Sequence, residues 1–125
     1  MTDPTNRYIV DLCEEISDCY SIPVRVIFRN RKDAYHTREN GNSHLIVFGY
    51  QCIDWAQENY TEYKSVQWMI SGMDLTGLAG VHQLVLHEMA HAIDTELHGR
   101  KYGVAHGHTW KAHYRELMEL YPFEG

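Results

Sequence analysis

A chain of 125 residues, 44% hydrophobic and 22% charged, has the size and make-up of one compact domain. Its net charge of −6 argues against a protein that coats nucleic acid by global charge. No apolar run approaches the roughly 20 residues that span a bilayer. The N-terminus, MTDPTNRYIVDLCEE, has early acids and no apolar block, so no signal peptide and a cytoplasmic or intracellular location are expected.

In chain order, residues 6–20 place Ile9, Leu12, Cys13, Ile16 and Cys19 or Tyr20 at helical spacing, and Pro23 follows as a stop. Residues 24–28, VRVIF, read as a strand. Residues 33–49 read as a hairpin about the turn signal Asn40-Gly41, with HLIVFG as a buried strand. Together these predict a small antiparallel sheet of about three strands. Residues 50–71 are partly helical, with an interruption near Asn59–Thr61. Residues 72–80 form a glycine-rich entry, with Asp74 or Thr76 as the N-cap of a helix over 78–98. That helix is apolar on more than one face, which predicts deep burial, and Gly99 stands at its C-cap position. A loop with Gly103 and Gly107 leads to a last helix over 109–121, with Trp110, Leu117 and Leu120 as core and Pro122 beyond it.

Charge is uneven along this order. Residues 25–38 hold Arg25, Arg29, Arg31, Lys32 and Arg38 against Asp33, a local +4. The strip, together with His108, is a candidate surface for nucleic acid or substrate, against the plainer reading of a solvated basic hairpin. The three cysteines, Cys13, Cys19 and Cys52, are odd in number and widely spaced, so free thiols are expected rather than a disulfide framework.

The chemistry concentrates in LVLHEMAHAI, residues 84–93, within a chain unusually rich in histidine at nine residues. His87 and His91 are four apart, so they share one helix face about 6 Å apart along the axis. Both imidazoles can reach one tetrahedral zinc ion. Glu88, offset by about 100°, can approach the open side of such an ion without ligating it. There it can move a proton from an attacking water to a leaving amine. The spacing points to metal-assisted hydrolysis of a peptide or amide bond. A third ligand is required. His98 lies on the same face but about 16 Å along the helix from His87, out of reach of the same ion. His106 and His108 can return over the metal face from the glycine loop. Glu116 and Glu119 offer a carboxylate instead, and His113 suits packing or solvent. Spacing alone does not separate these candidates.

The stretch from 84 to 112, LVLHEMAHAIDTELHGRKYGVAHGHTWKA, resembles the core of the SprT-like (Spartan-like) zinc metalloprotease family. Its second element reads His106, Gly107, His108, Thr109, Trp110, similar to the family's His-Gly-x-x-aromatic opening of the next helix. The resemblance implies His87, His91 and His106 as zinc ligands, Glu88 as catalytic acid/base and Trp110 as the aromatic under the site. It likewise implies that GNSHLIVFG is the strand edging the cleft. His108 departs from the pattern, standing where many members have proline or another residue. The expected fold is α+β, a zincin-like metalloprotease domain spanning 1–125 with its sheet packed on helices and no zinc ribbon. The expected activity is zinc-dependent endopeptidase, on protein or peptide substrates that the resemblance extends to DNA-associated proteins. Two alternatives stand beside it: a hydrolase with a Glu third ligand, and a non-enzymatic zinc-binding module.

Overall fold

The computed structural model describes residues 3–39, 41, 43–62, 66–99 and 106–124. The element order is α1 (Pro4–Tyr20), β1 (Val24–Arg29), β2 (Ala34–Arg38), β3 (His44–Gly49), α2 (Tyr50–Asn59), a 3-10 turn (Tyr60–Glu62), α3 (Gln67–Ile70), α4 (Leu78–His98) and α5 (His108–Leu120). Among the described residues this is an α+β arrangement of five helices and one three-stranded sheet. No helix among the described residues is long and apolar enough to cross a membrane.

Helix α1 begins earlier than the apolar spacing suggested, because Asp3 caps it by accepting from the backbone N–H groups of Thr5 and Asn6. Its Ile9, Leu12, Cys13 and Ile16 are buried, whereas Cys19 is exposed. Ser21, left-handed at φ 55°, ends the helix with its N–H on the Asp18 carbonyl.

The sheet is mixed, which corrects the antiparallel expectation. Its order is β1-β3-β2, with β1 parallel and β2 antiparallel to β3. The cause lies in β3. Ile46, Val47 and Phe48 are each no more than 1% exposed, so the strand is covered on both faces and both edges are paired. The strand HLIVFG is therefore central and does not edge a cleft; β2 and β1 are the edges. The short link from β1 to β2 arches over the end of β3, where Gly49 donates to the Asp33 carbonyl at 3.0 Å and Gln51 to that of Arg31 at 3.2 Å. A Cβ at Gly49 would strike both carbonyls, so glycine is needed there. At the hairpin tip Gly41 has φ 76°, as its turn signal requires, while Asn40 lies outside the described residues.

Helix α4 is the buried axis of the fold. Gly80 to Ala90 are buried without interruption. Helix α2 crosses it so closely that a Cβ on Gly80 would overlap the Ala56 carbonyl. The N-cap of α4 is Gly77, at φ 60° and ψ −137°, rather than Asp74 or Thr76. Those two side chains satisfy each other instead, Thr76 Oγ1 donating to Asp74 Oδ1 at 3.1 Å. Helix α5 buries Trp110, Tyr114 and Leu117 against α4, while Leu120 is 55% exposed. The core position expected of Leu120 belongs to Tyr114, one turn before Leu117. Of the glycine loop before α5, residues 100–105, including Gly103, lie outside the described residues.

Candidate metal centre

His87 and His91 project from one side of α4 toward the start of α5. His106 enters from the turn before α5, with Gly107 capping that helix. The three Nε2 atoms converge. His87 and His91 are separated by 3.3 Å, His91 and His106 by 3.2 Å, and His106 and His87 by 3.0 Å. This triangle is not a hydrogen-bond network, since each Nε2 has one in-plane direction and can face one neighbour but not two. Tetrahedral ligands at about 2.0–2.1 Å from zinc stand about 3.3 Å apart, which is the spacing found here. The group could hold a metal ion on its donor chemistry and its geometry alike.

Trp110 forms the floor. Its ring centroid lies 4.8 Å from His87, 5.1 Å from His91 and 4.8 Å from His106, and it is fully buried. Its indole N–H donates to the His87 carbonyl at 3.3 Å, which fixes α5 against α4 at this level.

A buried polar chain sets the His87 tautomer. With Nε2 turned to the shared centre, the ring proton sits on Nδ1 and is donated to the Tyr60 hydroxyl at 3.0 Å. Tyr60 bonds in turn to Tyr114, whose hydroxyl donates to Gln83 Oε1 at 2.7 Å. The chain joins the 3-10 turn, α5 and α4, and every link is buried. Sequence reading missed Tyr60, Tyr114 and Gln83. The helix interruption at Asn59–Thr61 was the one available signal, because it is what brings Tyr60 to the metal face.

The electrostatics favour neutral, metal-ready imidazoles. Burial first, then the neighbouring His91 and His106, hold His87 well below its ordinary range. Burial and the Lys111 cation lower His106. Glu88 is 4% exposed, and burial, reinforced by the Asp33 charge, pushes its carboxyl up to about 8. A divalent charge in the triangle would oppose that rise. Among the described residues the convergent group is His87, His91 and His106 without a carboxylate, and Glu88, next to His87 in sequence, is not part of it.

The other sequence candidates lie elsewhere. His108 is exposed in the first turn of α5. Glu116 accepts from the Tyr20 hydroxyl, and Glu119 lines a shallow surface cleft with Trp68, Met69, Arg115 and Met118. His98 is not with the first group; its Nε2 lies 3.2 Å from that of His113. Three cations of the basic strip are ion-paired: Arg25 with Glu39 at 2.6 Å, Arg31 with Asp33 at 2.5 Å and Arg38 with Glu96 at 3.0 Å. Arg29 donates to its neighbour's carbonyl at Phe28, and Lys32 is exposed. No family model, curated protein or solved structure matches this chain.

Proposed function

We propose that this chain is a zinc-dependent endopeptidase with a zincin-like, SprT-like catalytic core. The observation that carries the reading is the triangle of Nε2 atoms, 3.0–3.3 Å on an edge, built by His87, His91 and His106 with Glu88 adjoining in sequence. His87, His91 and His106 would hold the zinc, which when bound would supply Lewis acidity to the scissile carbonyl and to an attacking water.

The chain's own groups do the rest. Glu88, buried and held ionised once a divalent charge in the triangle draws its pKa down, would take the proton of the attacking water and return it to the leaving amine. Tyr60 holds the His87 ring in the tautomer that leaves Nε2 free to ligate. Substrate would lie along β2. This strand packs beside α4: Asp33, just before it, acts on Glu88, and Arg38 at its far end pairs with Glu96. Among the described residues nothing pairs with its outer edge, so an extended peptide can add there as a further strand. Nucleic acid is not part of this reading, since Arg25, Arg31 and Arg38 each face a carboxylate.

Glu88→Gln is the test. It keeps zinc and lowers hydrolysis of an unfolded protein substrate at least about 100-fold. Wild-type cleavage by that variant would remove Glu88 from the mechanism. The alternative of a non-catalytic metal module rests on the depth of Glu88, 4% exposed and near the buried Cys13 and Cys52, whose thiols burial first and the Glu88 charge second push up. Zinc-loaded wild-type protein inert toward unfolded substrates would select it.

A further inference from the structure

Past the first histidine group, α4 and α5 bring a second set of ligand-type side chains together. Asp94 and His98 lie one turn apart on α4, and His113 reaches them from α5. The imidazole Nε2 atoms of His98 and His113 are 3.2 Å apart, and a carboxylate oxygen of Asp94 lies within 4.8 Å of a ring nitrogen of each. The group repeats the spacing of the first, each member seven residues further along the chain.

A hydrogen bond between the two imidazoles would account for that pair alone. It leaves Asp94 unexplained. Asp94 Oδ1 is buried and has no hydrogen-bond partner among the described residues. A desolvated carboxylate oxygen of this kind is costly unless a cation or donor faces it. His98 also sits in the last turn of α4, where the exposed helix carbonyls favour positive charge.

We propose that Asp94, His98 and His113 form a second binding site for a divalent transition-metal ion, zinc being the probe of choice, which ties the end of α4 to α5. Two imidazoles and one carboxylate are a donor set suited to zinc and its neighbours. Tetrahedral ligands at about 2.0–2.1 Å from one ion stand about 3.3 Å apart, which the two imidazoles already match at 3.2 Å, so Asp94, within 4.8 Å, has about 1.5 Å at most to close. His98, which is exposed, has the freedom to meet it. The two centres are independent. Seven residues of helix separate their ligand pairs by about 10 Å, far beyond the spacing of a shared two-metal site at about 4 Å. The site therefore does not depend on the peptidase reading.

The experiment is metal analysis of the full chain after zinc loading and passage over a weak chelator. Wild type is expected to retain about two zinc ions per chain. His98→Gln and Asp94→Asn are each expected to retain about one, while His87→Ala also retains about one, held by the second group. His98→Gln changes an exposed side chain, so loss of folding does not blur the result. Cobalt loaded in place of zinc provides the second readout: its visible absorption should lose one component in His98→Gln and the other in His87→Ala. Wild type holding about one ion, or His98→Gln and Asp94→Asn holding as much as wild type, would overturn the proposal.

Discussion

At the scale of the residue, the site depends on which proton each histidine carries. His87 is fixed by the Tyr60 hydroxyl, 3.0 Å from its Nδ1. Tyr60→Phe removes that acceptor from a buried imidazole. Zinc affinity is expected to fall about 10–100-fold, measured by competition with a chromogenic chelator. An affinity equal to wild type would show that the tautomer is set some other way. His87 and His91 were legible in the sequence because a four-residue step on a helix dictates a shared face. His106 was not separable from His108 by spacing, because a loop imposes no periodicity; the resemblance singled it out and the geometry brings it to the other two. Tyr60 was illegible because it comes from a different element, and only the packing of that element on α4 brings it near.

Among the elements, the decisive contact is the crossing of α2 over α4. Gly80 lies inside a helix, where alanine ordinarily stabilises by about 1 kcal/mol. Here the added methyl would overlap the Ala56 carbonyl, a backbone atom that cannot turn aside. Gly80→Ala is therefore expected to destabilise, by about 1–3 kcal/mol in chemical denaturation. A gain in stability would mean that the helices separate without cost. Helix α4 was readable from its apolar pattern over the whole span Leu78–His98, whereas its cap was misread because Asp74 and Thr76 bond to each other. Strand existence was readable too, but strand order was not. The turn fixes only the pairing of β2 with β3, and β1 then takes the remaining edge of a strand that must be covered on both sides.

For the whole molecule, the buried ionisable groups predict a pH profile of stability in the metal-free protein. His44, His82, His87 and His106 are all lowered from an ordinary value near 6.5, chiefly by burial. Each stabilises fully above about 6.5 and loses that contribution as pH falls toward its folded value. Glu88 works in the opposite sense. Raised from 4.5 to about 8, it stabilises fully below 4.5 and loses that contribution as pH rises toward 8. Four groups outweigh one below 6.5, and Glu88 acts alone just above it. The metal-free protein is expected to be most stable near pH 6.5, with thermal midpoints falling on both sides; a midpoint still rising from pH 6.5 to 8 would contradict this. His82 belongs to this balance though it is remote from the ligand triangle, bonded to the Tyr8 hydroxyl at 2.7 Å and the Tyr121 carbonyl at 2.6 Å.

The central claim is that three imidazoles from α4 and the turn before α5 hold one zinc ion. X-ray absorption at the zinc edge tests it most directly, in a His98→Gln background so that the second group does not contribute. The spectrum should show three imidazole nitrogens at about 2.0–2.1 Å, and adding His106→Ala should remove one of them and most of the bound zinc. A spectrum and a zinc content unchanged by His106→Ala would contradict the account.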